Sequence, residues 1–297
     1  ARHFDYEKSN VGAGNPGAVF SFLVPVAEDS QKGETYKANL SFTPNDNTLL
    51  YAQWSEGFRL GRAVSQPDAS ICDVNNDGFL DHTSGRLVRE LGSDLTENIE
   101  LGAKLTLLDN RLTLNTTVYQ MDWVDRPQSY RATTDECNFS VFNNVGEVRS
   151  EGVELELAYL VTEALSVDMA LSYNESEFTK TTVDSGINVG DELEFAPHSQ
   201  ANLGVEYSFD VSAYPAFIRT DINYRGEAES DAQEQEMRTN GDYILVGLRA
   251  GINIDQWELA LYGKNLLNED TVINYENRIS PRLLRPRKLG ISVKYAF

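Results

Sequence analysis

The last stretch of the chain, residues 286–297, constrains the fold most strongly. It reads P-R-K-L-G-I-S-V-K-Y-A-F, and its large apolar side chains occupy every second position from Leu289 to Phe297. Because successive side chains of a β-strand point to opposite faces, this pattern predicts a strand with one apolar and one polar face. No helix-like segment precedes the strand to cover its apolar face, so we expect that face to meet lipid.

The same alternation recurs in about a dozen segments, in line with the roughly 9–11 residues that a membrane-spanning barrel strand needs. Tight turns near residues 45, 109, 162, 211 and 255 alternate with long loops near 20, 75, 135, 187, 233 and 275. Outer-membrane barrels have short periplasmic turns and long extracellular loops. The pattern therefore predicts an all-β fold, an antiparallel transmembrane β-barrel. The alternative is a soluble sandwich or barrel that buries its apolar face in a shared core.

Composition narrows the function classes. The 297 residues carry a formal net charge of −21, which argues against nucleic-acid binding because phosphate backbones require clustered Lys and Arg. No run of about 18 apolar residues occurs, so no transmembrane helix is predicted. The first residues, A-R-H-F-D-Y-E, include neither an initiator methionine nor a signal peptide. We expect the chain to be part of a longer protein.

The two cysteines, Cys72 and Cys137, both lie in predicted long polar loops. They are either unpaired thiols or a disulfide formed in an oxidising compartment, and we favour the disulfide. Such a bond would close a long loop, with an idealised gain of about 4 kcal/mol in the free energy of unfolding.

Five stretches resemble the carboxy-terminal barrel of TonB-dependent outer-membrane receptors. They are L-L-Y-A-Q-W-S-E-G-F-R-L-G at 49–61, N-I-E-L-G-A-K-L-T-L-L-D-N-R-L-T-L-N-T-T-V-Y-Q-M-D-W at 98–123, N-V-G-E-V-R-S-E-G-V-E-L-E-L at 144–157, N-L-L-N at 265–268, and the closing strand at 286–297. They occur in the family's order. The resemblance implies that residues 1–297 form one partial barrel domain, the second half of a 22-stranded barrel that encloses a plug. The plug, the segment that engages TonB and the first strands have no counterpart here.

The resemblance also implies a function. Receptors of this family import scarce nutrients across the outer membrane of Gram-negative bacteria, most often ferric siderophores, with energy delivered by the TonB complex. The implied partners are outer-membrane lipid, the plug domain, the TonB complex and a small-molecule nutrient such as an iron chelate. A passive porin-like channel, or a TonB-dependent receptor for oligosaccharide or cobalamin, stays open as an alternative. Catalysis is not expected, because no G-x-S-x-G elbow, H-E-x-x-H pair or phosphate-binding glycine loop occurs.

The candidate ligand-binding residues are arginines and aromatics in the predicted loops and adjoining strand ends. Arginine pairs with the anionic oxygens of a chelate, and aromatic rings stack on flat ligand groups. The set comprises Trp54, Arg59, Arg62, Trp123, Arg126, Tyr130, Arg131, Tyr275 and Arg278. The alternative for each is a solvated loop or girdle residue, because most loop residues carry no function.

One loop follows the spacing of a calcium-binding loop, D-V-N-N-D-G-F-L-D at residues 73–81. The candidate oxygen ligands are the side chains of Asp73, Asn75, Asp77 and Asp81 and the carbonyl of Phe79. Gly78 falls at the sharp turn, but the twelfth place holds Ser84, not a bidentate glutamate. The alternative is an Asx-rich surface turn. The only cofactor that the sequence suggests is a structural calcium ion that would order this loop.

Overall fold

A computed structural model describes residues 2–9, 28–64, 69–81, 83–133, 137–182, 186–229, 239–277 and 280–296. Its strands, in chain order, are β1 (Arg2–Ser9), β2 (Glu28–Thr35), β3 (Lys37–Asn45), β4 (Thr48–Arg59), β5 (Arg62–Ala63), β6 (Glu90–Leu91), β7 (Asp94–Leu107), β8 (Leu112–Thr133), β9 (Asn138–Leu160) and β10 (Leu165–Lys180). They continue with β11 (Ser199–Val211), β12 (Tyr214–Arg225), β13 (Ala228–Glu229), β14 (Thr239–Asn240), β15 (Tyr243–Ile254), β16 (Trp257–Lys264), β17 (Val272–Asn277), β18 (Ser280–Leu283) and β19 (Lys288–Tyr295). One short helix, α1 (Ala69–Cys72), interrupts them. Among the described residues, no helix is long and apolar enough to cross a membrane.

Eleven strands form one antiparallel sheet in the order β19-β16-β15-β12-β11-β10-β9-β8-β7-β4-β3. The other strands form two-stranded pairs, β1–β2, β5–β6, β13–β14 and β17–β18. Each strand of the large sheet pairs with the next long strand of the chain, which is the up-and-down order of an antiparallel barrel. Within the described ranges the sheet is open, because its edge strands β3 and β19 do not pair with each other.

The connections divide the sheet into two ends. Tight turns at residues 46–47, 108–111, 161–164, 212–213 and 255–256 lie at one end, here called the short-turn end. Asn110 and Asp255 in these turns have positive φ, 66° and 51°, a conformation that the short polar side chains of Asn and Asp tolerate. The described parts of the connections at 60–93, 181–198, 226–242 and 265–287 lie at the opposite end, the long-loop end.

Two predicted loops are strands. The loop expected near residue 135 is largely a hairpin, since β8 and β9 contain 22 and 23 residues and pair as far as Thr133 and Asn138. The loop expected to reach Gly33 ends at β2, which pairs with β1. In both places backbone pairing continues past the alternating apolar positions, so the hydrophobic pattern alone could not reveal the strand.

The apolar positions share one face of the sheet, here called the apolar face. Leu101 pairs with Ala52 and Val118, and Val118 pairs with Val153, so the pattern is in register across neighbouring strands. This face is open to its surroundings: Leu101 is 54% exposed and Ile291 is 73% exposed. A soluble sandwich would bury these side chains under a second sheet, and none of the small sheets in the described residues covers them. Exposed apolar surface of this extent indicates contact with a membrane or another protein.

The opposite face, here called the polar face, carries tyrosines, glycines and ion pairs. Tyr51 lies over Gly102, with which it pairs across β4 and β7, and its hydroxyl is 3.0 Å from Thr117 Oγ1. A Cβ atom at Gly102 would lie 2.4 Å from the Tyr51 ring, so any larger residue there would displace the ring. Nearer the short-turn end, Arg219 bonds the carboxylate of Asp168 through two nitrogens, at 3.0 and 3.1 Å. The polar face therefore satisfies much of its charge internally.

Candidate ligand-binding site

A cavity of about 340 Å³ lies on the polar face at the long-loop end. Four of the predicted ligand-binding residues line it: Arg59, Arg62, Trp123 and Arg126. The loop that follows β4 closes one side of the cavity through Leu91 and Gly92, and the hairpin of β8 and β9 closes another through Pro127 and Phe142. We call this cavity the arginine pocket.

Strand register brings the lining residues together. Arg59, the last residue of β4, pairs with Asp94, the first residue of β7. Trp123 of β8 pairs with Thr96 of β7, two residues along from Asp94 and therefore on the same face. A register shift between Trp123 and Arg126 forms a bulge. Such a bulge re-aims the side chain that follows it, so Arg126 lines the same cavity as Trp123.

Asp94 is the central acceptor of the pocket. Its side chain is 3% exposed and accepts hydrogen bonds from Arg59 Nε at 3.0 Å and Arg59 Nη2 at 2.6 Å. The indole Nε1 of Trp123 donates to the same carboxylate at 2.7 Å. Because a carboxylate accepts a guanidinium through two parallel bonds, Asp94 fixes both the direction of Arg59 and the plane of Trp123. Asp94 is not among the residues predicted from the sequence. Its role becomes visible only from the strand register, in which it lies opposite Arg59.

Two guanidinium groups lie against the ring of Trp123. The Cζ atom of Arg59 is 5.4 Å from the ring centroid and that of Arg126 is 5.2 Å away, both within cation–π range. Arg126 also lies 5.0 Å from the ring of Phe178 and forms an ion pair with Glu194. The exposed fractions differ sharply, since the Arg59 side chain is 62% exposed and that of Arg126 is 12% exposed.

The pocket is positively charged in an acidic chain. Three arginines and one aspartate line it, and Glu194 pairs with Arg126, which leaves a net charge of +1 in a chain whose total is −21. A second cavity, of about 500 Å³ on β9, β10 and the loop after β10, is lined by four glutamates with Arg149 and His198. That cavity would repel an anion. A cationic recess among acidic surroundings concentrates anions at one place, so the arginine pocket is the better anion site.

His198 lines the second cavity and lies just before β11, and each of its ring nitrogens has a partner within hydrogen-bond distance. Its Nε2 is 3.0 Å from Glu192 Oε1, and its Nδ1 is 3.1 Å from the carbonyl oxygen of Asn174. The Glu192 hydrogen bond raises the pKa of His198 above its ordinary value. Protonated His198 therefore ties the loop after β10 to the sheet.

The other candidate ligand residues lie elsewhere. Trp54 pairs with the exposed Ile99 on the apolar face, so it points away from the arginine pocket. Tyr130 is 1% exposed and packs in a core cluster, and its hydroxyl bonds Thr182 Oγ1, so it supports the loops and does not line the arginine pocket. Arg131 lies in β8 and Tyr275 in β17, where only the backbone is described. Arg278 lies outside the described residues.

The loop that closes the arginine pocket is fastened to the β8–β9 hairpin. Cys72 and Cys137 form a disulfide, and both pack with Leu80, Tyr130 and Val141 in a buried apolar cluster. Asn143 accepts the amide of Arg86 at 2.7 Å and donates to its carbonyl at 3.0 Å. Asn144 donates to the carbonyl of Gly92 at 3.1 Å. One covalent bond, one apolar cluster and two side-chain amides thus hold this loop in place.

The predicted calcium loop is held by its own hydrogen bonds. Asp73 accepts the amides of Asp77 at 2.9 Å and Gly78 at 3.0 Å, and Asp81 accepts the amide of Val74 at 3.0 Å. Asn75 and Asp77 accept the amides two residues further along, those of Asp77 at 3.1 Å and Phe79 at 2.9 Å, which are the Asx-type turn bonds of the alternative. In the described part of the chain, no group of three or more His, Cys, Asp or Glu side chains is arranged to hold a metal ion. Calcium binding by Asp73, Asn75, Asp77, Phe79 and Asp81 stays a prediction, which a calcium titration of the protein tests.

Comparison with known proteins identifies the family. The profile of the family described as "TonB dependent receptor-like, beta-barrel" matches residues 1–266. The chain belongs to this family. The TonB-dependent receptor family comprises receptors and transporters, which is not an enzyme class, and its members are outer-membrane β-barrels of Gram-negative bacteria. The chain is accordingly an outer-membrane protein.

Curated relatives match parts of the chain. "Probable TonB-dependent siderophore receptor PiuA" of Acinetobacter baumannii is 24% identical over 199 residues, which cover 64% of this chain and 24% of that protein. "Metal-pseudopaline receptor CntO" of Pseudomonas aeruginosa is 30% identical over 136 residues, which cover 46% of this chain and 18% of that protein. The chain thus spans about a quarter or less of the length of these relatives.

Solved structures share the fold. The ferric yersiniabactin uptake receptor FyuA from Yersinia pestis aligns with a TM-score of 0.72 at 19% identity, over 91% of this chain and 38% of that one. The siderophore receptor PiuA from Acinetobacter baumannii aligns with a TM-score of 0.70 at 17% identity, over 98% of this chain and 39% of that one. The predicted antiparallel barrel fold is confirmed, with this chain as a part of such a barrel.

Proposed function

We propose that this chain is the ligand-capturing part of a receptor that imports an anionic metal chelate, with a ferric siderophore as the leading candidate. The observation that carries the proposal is the arginine pocket, in which Arg59 and Arg126 lie against Trp123 at the long-loop end of the polar face. In a barrel of this family, that end faces the medium and the polar face lines the bore. The apolar face meets outer-membrane lipid.

The chemistry of the pocket suits an iron chelate. Catecholate, hydroxamate and carboxylate groups present anionic oxygens, with which guanidinium groups form charge-assisted hydrogen bonds. Aromatic ligand groups can stack on Trp123. The exposed Arg59, whose direction is fixed by Asp94, supplies the first contact for an arriving anion. Because its geometry is set before the ligand arrives, little conformational entropy is lost on binding.

Names of relatives support the ligand class. PiuA carries "siderophore receptor" in its name, and CntO carries "metal-pseudopaline receptor". Transport would require a plug domain and a segment that engages the TonB complex, which we propose are supplied by parts of the receptor beyond residues 1–297. No residue pattern on the described polar face calls for catalysis, so we propose a receptor without enzymatic activity.

The test is ligand binding by the full-length receptor. Purified receptor in detergent is titrated with ferric citrate, a ferric tris-catecholate, a ferric tris-hydroxamate, cobalamin and an oligosaccharide. We expect tight binding of a ferric chelate, and we expect Arg59→Gln or Trp123→Ala to weaken it. Arg111→Gln is the matched control, because Arg111 is exposed in a tight turn at the opposite end of the sheet.

Uptake separates the alternatives. In iron-limited cells, we expect receptor-dependent growth on the bound chelate to disappear when TonB is deleted. Growth that survives the deletion would indicate a passive porin-like channel. If the receptor binds cobalamin or an oligosaccharide and none of the ferric chelates, the proposed ligand class is wrong. If Arg59→Gln and Trp123→Ala both bind the chelate as tightly as the native receptor, the arginine pocket is not the binding site.

A further inference from the structure

The ion pair between Arg126 and Glu194 joins one atom of each side chain and leaves another buried polar atom of each side chain without a partner among the described residues, which is unusual for a purely structural contact. Glu194 comes from the loop between β10 and β11 and is 68 residues from Arg126 in the chain. Only Arg126 Nη2 and Glu194 Oε1 are bonded to each other. Arg126 Nε and Glu194 Oε2 are both buried and have no hydrogen-bond partner among the described residues. Buried polar atoms are normally paired, so each partner retains unused hydrogen-bonding capacity.

The backbone on both sides of Glu194 is fixed. The amide of Leu193 donates to the carbonyl of Ser176 at 2.9 Å, and the amide of Phe195 donates to the carbonyl of Glu229 at 2.8 Å. Phe195 has a φ of 62°, an unfavourable value for a bulky side chain. Such strain persists only where the surroundings enforce it, and it concentrates at ligand sites. The loop therefore presents Glu194 to Arg126 from a held position, while the flexible side chain of Glu194 keeps its own rotatable bonds.

Arg126 also has the position of a ligand contact. It lines the arginine pocket, and its guanidinium lies 5.2 Å from the centroid of Trp123. Its charge is neutralised by Glu194, whereas the neighbouring Arg59 is neutralised by Asp94. The two acids differ in burial, because the Asp94 side chain is 3% exposed and that of Glu194 is 25% exposed. Asp94 is therefore the more enclosed of the two acids, and the side chain of Glu194 borders solvent.

We propose that Glu194 is a specificity-determining residue whose carboxylate occupies Arg126 until an anionic oxygen of the ligand takes its place. This inference rests on the proposed function of the arginine pocket. The exchange replaces one anion by another on the same guanidinium, so the net charge there is unchanged. A ligand with a strongly anionic donor group compensates for the lost ion pair, and a ligand without one does not. Glu194 thus lowers the affinity for anionic chelates relative to neutral chelates of similar size, which leave the ion pair in place.

The experiment compares two ferric probes that differ in charge. A ferric tris-catecholate is trianionic at its iron centre, and a ferric tris-hydroxamate is neutral there. Binding of each to the full-length receptor is measured for the native protein and for Glu194→Gln, Glu194→Asp and Glu192→Gln. Glu194→Asp keeps the charge but shortens the reach to Arg126. Glu192→Gln removes the same charge two residues away but keeps an acceptor oxygen for His198, so it controls for general electrostatics.

We expect Glu194→Gln to tighten binding of the tris-catecholate about five-fold, the factor that corresponds to about 1 kcal/mol for a partly exposed ion pair. Glu194→Asp should tighten it by a smaller factor, and Glu192→Gln should leave it unchanged. The affinity for the tris-hydroxamate should stay the same in all variants. Receptor folding is checked by the heat-dependent shift in gel mobility of the barrel.

The outcomes separate this inference from the proposed function. Weaker tris-catecholate binding by Glu194→Gln would overturn the inference, because it would mean that Glu194 supports Arg126 as a ligand contact. Equal tightening by Glu192→Gln would also overturn it, since charge alone would then account for the effect. Failure of both probes to bind the native receptor would overturn the proposed function and this inference with it. Binding that depends on Arg59 but not on Glu194 overturns the inference alone.

Discussion

Replacement of Asp94 by alanine tests whether the arginine pocket is organised before a ligand arrives. The substitution removes the acceptor of three hydrogen bonds, two from Arg59 and one from Trp123. The bond from the indole N–H to a buried carboxylate is charge-assisted and contributes about 1.5–3 kcal/mol. The pair with Arg59 contributes at most about 1 kcal/mol, because the Arg59 side chain is 62% exposed and water can replace the carboxylate.

The change in charge has the opposite effect on ligand affinity. Without Asp94 the pocket has one more net positive charge, which favours an anionic chelate by up to about 1 kcal/mol at a partly exposed site. The loss of orientation exceeds this gain, and we expect a net cost of about 1–2 kcal/mol. Ligand affinity should fall about 5- to 30-fold. High salt should deepen the loss, because salt screens the favourable charge term more than the short-range bonds.

The assay is titration of the full-length receptor with its ferric chelate at low and high salt, with Asp94→Asn and Asp168→Asn alongside. Asp94→Asn retains an acceptor oxygen for Trp123 and should lose less affinity than Asp94→Ala. Asp168 accepts Arg219 near the short-turn end, and its substitution should leave binding unchanged. Tighter binding by Asp94→Ala at low salt would refute the reasoning, because the pocket would then act as a charged surface that needs no fixed geometry.

Three further predictions concern stability. Cys72→Ser should lower the free energy of unfolding of the disulfide-closed region by about 4 kcal/mol, given the sequence separation of 65, and an unchanged rate of loop proteolysis would contradict this. Gly102→Ala places a Cβ 2.4 Å from the Tyr51 ring and should cost about 1–3 kcal/mol in urea unfolding, whereas an unchanged midpoint would show that the ring moves freely. Glu192 raises the pKa of His198 in the folded protein. The contribution of protonated His198 to the free energy of unfolding is therefore complete below about pH 6.5 and is lost as the pH rises through the folded-state pKa. The difference in melting temperature between the native protein and His198→Gln should therefore be larger at pH 5.5 than at pH 8, and a difference that grows with pH would contradict the assignment.

The large sheet could be predicted from the sequence because its pattern is local. Alternation at period two places Leu101 and Glu100 on opposite faces whatever the neighbouring strands are, and the tight turns then fix antiparallel order. Arg59, Trp123 and Arg126 could be predicted as separate candidates for a similar reason, since each lies where an alternating segment ends, but the sequence did not show that they line one cavity. The pattern could not show that β8 and β9 continue as a hairpin beyond that point.

The residues that the sequence missed depend on long-range contacts. Asp94 is 35 residues from Arg59, and its role follows only from the register of β4 and β7. Glu194 reaches Arg126 through a loop whose course no local pattern specifies. Trp54 was selected by residue type, but its position in the alternation places it on the apolar face. Residue chemistry therefore predicted the kind of site, and strand pairing shows which of the candidates line one cavity.

Spin labels on adjacent residues test most directly whether the apolar face meets lipid and the polar face lines the bore. Nitroxides are placed singly at Glu100, Leu101, Ile291 and Ser292 of the full-length receptor in lipid vesicles, and their collisions with oxygen and with a water-soluble nickel chelate are measured. Labels at Leu101 and Ile291 should collide preferentially with oxygen, which partitions into the bilayer, and those at Glu100 and Ser292 should not. Labels at Leu101 and Ile291 that are shielded from both reagents, or that prefer the nickel chelate, would contradict the account.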